Sequence, residues 1–412
     1  TDSQPSYILA HTRYTTSGNL KYNSQYQPVK NNVLHGLDKD DYTLVYNGTV
    51  HLDKIKKVYI SLQPNNSLHD DANDTEYIVA VLNAIPASNW NDRLNRFVSL
   101  IPGVYSIVIG TRESIYIIKD TFGNRPLSIH KYKDSKSYCI ISESSELPSY
   151  DYTPFRNIYP NEIIHYDITD NTFTNINTTT VSKESQSCLF EYIYFLNKKS
   201  TMDSINVSIF RYNCGIQLAI QDTIFNIKNI NKELSYDNKD IIVVGAPETG
   251  ITSGLGYAEK LHLNYHQVII KNNSIGRTFI KDTNEKRKKA CEDKYTFLEN
   301  VIKNKIIIIV DDSLVRGITL TTIIHKLKIL GAREVHVRIA SPPVISPCYF
   351  GISIPTKEEL IANNSNLNTI KESIGAHSLA YVSLKSIHKI LNNKKICSSC
   401  FTGQYNSRLM DW

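Results

Sequence analysis

The chain has 412 residues, a length that predicts two or three domains, and its 41% hydrophobic and 21% charged content is ordinary for a soluble globular protein with real cores. A formal charge of +6 is small for this size: it favours anionic ligands weakly and speaks against a nucleic-acid partner, while no apolar run is long enough for a membrane and no signal peptide opens the chain. The seven cysteines (Cys139, Cys188, Cys214, Cys291, Cys348, Cys397 and Cys400) are odd in number and scattered, which argues against a disulfide framework and for a reducing, cytoplasmic setting.

The polar start at Thr1 gives way at Tyr7 to a strand-like run, YILAHTRYTT, which turns at Ser17-Gly18. Residues 44–52 are expected to form a strand broken at Asn47-Gly48, a strong turn signal that by itself means a surface hairpin. Residues 74–85 predict a helix with Asp74 near its cap and an apolar stripe behind it. Strands are expected over 104–110, 114–120 and 138–144, with the rigid turn Arg125-Pro126 between the last two. An Asn- and Thr-rich stretch up to Thr180, then the polar residues 183–187, predict a linker and a domain boundary between residues 182 and 183.

In the second half an amphipathic helix is expected over 209–220. Residues 241–261 give a buried strand, a loop (Pro247, Glu248, Thr249, Gly250) and a helix. The five β-branched residues 306–310 predict a strand buried on both faces of a parallel sheet. Asp311, Asp312, Ser313, Arg316, Gly317, Thr319, Thr321 and Thr322 follow at once, and a helix is expected over 323–330, closed by Gly331. At the carboxyl end of such a strand, loop amides and a helix N-terminus converge on one point and suit a phosphate. Two aspartates at its mouth suit vicinal hydroxyls or a hydrated Mg²⁺. Together they suggest a ribose 5-phosphate ligand; the plainer alternative is an ordinary buried strand with a capped helix.

Residues 310–319, VDDSLVRGIT, resemble the phosphoribosylpyrophosphate (PRPP) signature of type I phosphoribosyltransferases. HTRYTTSG, YNGTV, DTE, KDTFGNRPL and SESSEL, in that order, resemble a glutamine amidotransferase domain of the N-terminal-nucleophile type. With GRTF at 276–279, residues 331–362, HSLAYVSLKSI and CSSCFTGQY, most of the chain is similar to the amidophosphoribosyltransferase family, in its iron–sulfur-containing branch. The resemblance implies an αββα glutaminase sandwich over 1–182. A type I phosphoribosyltransferase domain with a parallel sheet and a cluster-binding tail would cover 183–412. It implies that ammonia from glutamine displaces pyrophosphate from PRPP, giving 5-phosphoribosylamine in purine synthesis.

By the same resemblance, Arg13, Thr15, Thr16 and Asp74 would hold glutamine, and Asn47 and Gly48 would form the oxyanion hole. PRPP would be held by Asp311, Asp312, Ser313, Arg316, Gly317, Thr319, Glu248, Arg277, Thr278 and Lys294, with Mg²⁺ near Thr249, Asp311 and Asp312. Cys188, Cys348, Cys397 and Cys400 would bind a [4Fe–4S] cluster, with zinc or four free thiols as rivals. A homo-oligomer (dimer or tetramer) inhibited by purine nucleotides is implied. The family's nucleophile is a cysteine at the mature amino terminus, well before the position of Arg13. Here the sequence opens at Thr1 and the first cysteine is Cys139, so the expectation is a glutamine pocket whose start is missing. Further departures are Glu248-Thr249 in place of Asp-Ser, Asn273 and Ser274 in place of Arg and Tyr, and His377 in place of an acidic residue. They keep open a regulatory protein that binds PRPP or a nucleotide, and a phosphoribosyltransferase that uses free ammonia.

Overall fold

The computed structural model describes residues 6–12, 25–31, 41–177, 186–225, 238–272, 294–354, 356–363 and 365–410. The first unit is built on a six-stranded antiparallel sheet. Its order is Val29–Lys30, Thr43–Thr49, Val104–Gly110, Ser114–Lys119, Ile163–Asp167 and Thr172–Asn175. Side-chain alternation sorts its two faces. Leu44, Tyr46, Tyr105, Ile107, Tyr116 and Ile118 pack on the helices Leu52–Leu62, Asp74–Ala84 and Trp90–Leu100. Val108, Ile115, Ile117 and Ile164 pack instead on a second, three-stranded sheet, Tyr138–Ile141, Ser128–Tyr132 and Tyr152–Asn157. Among the described residues the layers therefore run helix, sheet, sheet.

Two local expectations change. Asn47-Gly48 does not turn: both lie inside the strand Thr43–Thr49, opposite Ser106 and Tyr105. Glycine is required there by a close approach, since a Cβ on Gly48 would lie 2.1 Å from the Val104 carbonyl oxygen and 2.6 Å from Tyr105 Cα. Residues 7–12 carry no strand; the Tyr7 ring instead lies over Gly110, where a Cβ would meet it at 2.6 Å. The helix expected from Asp74 is present with Asp74 next to its cap: Asp74 is its first residue, and the cap Asn73 forms a capping box with Glu76.

The second unit holds a five-stranded parallel sheet in the order Asn264–Tyr265, Ile241–Gly245, Ile306–Asp311, Glu334–Ile339 and Ser378–Tyr381. Ile306, Ile308 and Val310 join one core with the helices Val207–Gln221 and Gly250–Leu261. Ile307 and Ile309 join another with Leu320, Ile323 and Leu327 of the helix Ile318–Ile329. The expected two-sided burial of this strand is present. The helix after it starts at Ile318 rather than Ile323 because Gly317, at φ 81°, lets the chain reverse into it. Thr321 and Thr322 then donate back to the carbonyls of Gly317 and Ile318, so their polarity does not delay the helix.

The units meet where Gln186 N donates to Phe122 O at 2.7 Å and Asn124 Nδ2 to Gln186 O at 2.9 Å. The short strand Ser187–Cys188 pairs in parallel with Ile396–Cys397 from the tail. No helix among the described residues is long and apolar enough to cross a membrane.

Candidate functional site

The end of the second unit that carries Asp311 and Asp312 forms where two strand-to-helix turns meet. The helix Gly250–Leu261 begins directly against the end of the strand Ile306–Asp311. A Cβ on Gly250 would stand 2.3 Å from the Val310 carbonyl oxygen and 3.0 Å from Asp311 Cα, so only glycine allows the contact. This brings Thr249 onto the acidic pair, where its hydroxyl donates to Asp312 Oδ2. Ser313 Oγ donates to Asp312 Oδ1 at 2.5 Å, and Asp312 N donates to Asp311 Oδ1 at 2.9 Å.

Burial pushes the Asp311 carboxyl well above its ordinary value, and the charge of Asp312 beside it adds to the effect. Burial also raises Asp312, against the hydroxyls of Ser313 and Thr249 and the guanidinium of Arg211. Two adjacent carboxyls in a poorly solvated mouth are stabilised by a ligand that brings positive charge or hydroxyl donors.

Gly317 ends the loop after the aspartates, and Thr319 stands exposed in the first helical turn. Arg316, about half exposed, is held by Glu359, Nε to Oε2 at 2.7 Å. Glu248 faces Lys271 at 3.7 Å, and the Pro247–Glu248 peptide is cis. Lys271 belongs to a two-stranded stem, Ile269–Lys271 with Tyr295–Phe297. Lys294 sits at that stem: its carbonyl accepts from Asn272 N at 2.9 Å, and its ammonium lies 5.5 Å from the Tyr295 ring centre. Arg277 and Thr278 lie outside the described residues, as do Asn273 and Ser274.

In the first unit Asn47 and Gly48 are fixed by the strand Thr43–Thr49. Tyr46, next to Asn47, donates its hydroxyl to Asp74 Oδ2 at 3.0 Å, so Asp74 is brought to the same place. Burial, and then the neighbouring Asp74, push the Tyr46 phenol well above its ordinary value, so it stays a donor. Arg13, Thr15 and Thr16 lie outside the described residues.

The four tail-associated cysteines converge at the junction of the units. Cys188 and Cys397 are register partners in the parallel pair. The Cys400 carbonyl accepts from Ile345 N at 2.9 Å and Ser346 N at 3.1 Å, which holds it beside the segment of Cys348. Burial raises the Cys188 thiol well above its ordinary value, and Cys397, Glu191, Cys400 and Cys348 around it add to that. All four thiols are free of disulfides. Among the described residues no three His, Cys, Asp or Glu side chains are arranged around one metal ion. Cys139 lies on the strand Tyr138–Ile141 and Cys214 on the helix Val207–Gln221, apart from this group; Cys291 is outside the described residues.

Two buried arginines escaped the reading of the sequence. Arg211 lines a narrow cleft with Asp312 and Ser253, and Arg125 is ion-paired with Glu191 across the junction at 2.7 Å. Each partner is distant in sequence, 66 residues in the second case, so no local pattern announces either contact.

Comparison with known proteins agrees with this geometry. Residues 12–149 match the glutamine amidotransferase domain family, and residues 216–340 the phosphoribosyl transferase domain family. The amidophosphoribosyltransferase of Methanocaldococcus jannaschii is 31% identical over 413 residues, spanning 96% of this chain and 82% of that protein. The chain belongs to the amidophosphoribosyltransferase family. The human amidophosphoribosyltransferase is 32% identical over 404 residues, covering 92% of this chain and 73% of that protein. Among solved structures, the glutamine PRPP amidotransferase of B. subtilis, complexed with ADP and GMP, superposes with a TM-score of 0.81 at 29% identity. That match covers 96% of this chain and 82% of that one. The amidophosphoribosyltransferase architecture, a class II glutamine amidotransferase domain followed by a phosphoribosyltransferase domain with a parallel sheet, is thus the fold of this chain.

Proposed function

We propose that this chain performs its family's reaction, the glutamine-dependent amidation of PRPP in purine biosynthesis, through the two centres described above. Glutamine and water give glutamate and ammonia in the first unit. Ammonia then attacks C1 of PRPP, the C1–O bond to pyrophosphate breaks, and 5-phosphoribosylamine and pyrophosphate leave. The observation that carries this reading is the joining of Thr249, Asp312, Asp311 and Ser313 at the carboxyl end of a parallel strand.

In this reading residues 1–182 are the glutaminase domain and 183–412 the transferase domain with its tail. Asn47 and Gly48 supply the donors for the oxyanion formed when the glutamine amide is attacked. Arg13, Thr15, Thr16 and Asp74 hold the amino acid. Asp311 and Asp312 fix the ribose hydroxyls, and Ser313, Arg316, Gly317 and Thr319 hold the 5-phosphate. Glu248, Arg277, Thr278 and Lys294 complete the PRPP-binding set.

The donor set at the acidic pair fits Mg²⁺: hard oxygens from Thr249, Asp311 and Asp312, with substrate phosphates to complete the shell. Mg²⁺ bound there offsets the charge of the leaving pyrophosphate. The four junction thiols fit a [4Fe–4S] cluster, since soft donors from distant segments meet in a partly buried, disulfide-free place. A cytoplasmic homo-oligomer regulated by purine nucleotides completes the proposal; the B. subtilis relative was solved with ADP and GMP.

The test is Mg²⁺-dependent pyrophosphate release from PRPP with glutamine and with ammonium in parallel, glutamate being assayed in the same samples. Equal glutamate and pyrophosphate with glutamine would be the full reaction. Release with ammonium and none with glutamine would assign this chain the transferase step alone. Binding of PRPP without release under either condition would favour the regulatory alternative.

A further inference from the structure

We propose that the single helical turn Glu191–Phe195 is a brace between the two reaction centres, with Arg125 and Arg211 as positioning residues at its two ends. The idea rests on the functional reading above and concerns residues that reading leaves unused.

At the first end, Arg125 Nη1 donates to Glu191 Oε1 at 2.7 Å, with the two side chains only 6% and 8% exposed. Arg125 also bonds to the strand Val104–Gly110, which pairs with the strand of Asn47. Its carbonyl accepts from Ser106 Oγ at 3.4 Å, and Ser106 is the cross-strand partner of Asn47. Its guanidinium lies beside Thr49, the residue after Gly48. A Cβ on Gly351, at φ 95°, would come within 2.4 Å of Arg125 Nη2 and 2.5 Å of Thr49 Oγ1, so this glycine leaves room for both. The buried Arg125 Nε has no hydrogen-bond partner among the described residues, which concentrates the guanidinium's anchoring on Glu191.

At the second end, Arg211 Nε donates to Tyr192 O at 2.9 Å and Nη2 to Leu196 O at 2.7 Å. The turn is of the wide kind, closed by Leu196 N on Glu191 O at 2.9 Å, and the Tyr192 carbonyl is taken by this arginine. The Arg211 carbonyl accepts from Ser253 Oγ at 2.9 Å, and its side chain lines the cleft behind Asp312.

Contacts therefore lead from Asn47 through Ser106, Arg125, Glu191 and the turn to Arg211, which shares a narrow cleft with Asp312 and acts on it through its charge. A buried ion pair does not slip without stranding a charge, and a guanidinium fork holds two acceptors in fixed geometry. A displacement of the oxyanion strand is passed on as a displacement of Arg211 and of the acidic pair. By linkage the effect is reciprocal: a ligand at one centre changes affinity at the other.

The test is calorimetric titration of the full chain with PRPP and Mg²⁺, with and without saturating glutamate, which occupies the glutamine pocket without reacting. The unaltered chain is expected to show a PRPP affinity changed about fivefold or more by glutamate. Arg125→Met and Glu191→Gln should bring that ratio to within about twofold of one, while PRPP affinity without glutamate changes less than about twofold. A purely structural role would weaken binding in both conditions and leave the ratio as it was. Should Arg125→Met not fold, Arg125→Lys and Glu191→Asp give the same reading, with intermediate ratios. An unchanged ratio in the variants overturns the brace, as does an unaltered chain that binds PRPP but shows no response to glutamate. Failure of the unaltered chain to bind PRPP would overturn the functional reading itself.

Discussion

Gly48 illustrates how one residue fixes a close approach beside a proposed site. Its missing Cβ lets the strands Thr43–Thr49 and Val104–Gly110 close up beside Asn47. Gly48→Ala must push the strands apart and should cost ~1–3 kcal/mol, read as a lower urea midpoint, together with weaker glutamine binding. His336 shows a different single-residue effect. Burial, and then the positive Arg338, hold its pKa down to about 4, although Glu334 Oε2 lies 2.9 Å away. Between that value and the ordinary ~6.5, the unfolded chain takes up a proton that the folded chain refuses. Stability is therefore full above ~6.5 and falls as pH drops toward 4, by about 2 kcal/mol between pH 7 and 5. His336→Gln should remove that part of the slope in urea denaturation measured at the two pH values.

At the scale of elements, the turn 247–250 and the helix it starts meet the end of the strand Ile306–Asp311 through the close approach of Gly250 to Val310 and through the Thr249 hydroxyl. Thr249→Val keeps the shape and removes the donor to Asp312. Loss of a bond to a charged group worth about 1.5–3 kcal/mol predicts a roughly 10- to 100-fold slower ammonium-dependent reaction, measured as pyrophosphate release. This end of the fold was legible in advance. Five consecutive β-branched residues have no good home outside a buried strand, and the polar loop after them has a defined place. The strand Thr43–Thr49 was not. Asn-Gly is a turn signal only as far as local preference goes, and here the close passage of Val104 decides the glycine instead. The sequence likewise hid the true start of the helix Ile318–Ile329 behind its threonines, whose hydroxyls bond back to the helix's own carbonyls. The strand Ser128–Tyr132 went unseen because SIHKY is short and mixed in polarity.

Across the whole molecule, the two units are tied by backbone bonds at 122–124 and 186–188, by Arg125–Glu191, and by the tail, where the Met410 carbonyl accepts from Lys54 Nζ at 2.7 Å. The cysteine set was legible only through resemblance, since no spacing within the chain links positions as far apart as 188, 348 and 397. The arginine contacts at the junction were not legible at all, because pairing across domains leaves no periodic trace. If the cluster reading holds, protein isolated without oxygen should contain iron and acid-labile sulfide, four of each per chain. Cys397→Ser should lose both and expose the segment 396–402 to proteolysis. Zinc without sulfide would contradict it. The most direct test of the central claim compares Mg²⁺- and ammonium-dependent pyrophosphate release from PRPP by the unaltered chain and by Asp312→Asn. The account predicts release by the first and a loss of about 100-fold or more in the second, as expected for a group that fixes the reacting substrate. Equal rates in the two, or no release by the unaltered chain, would contradict it.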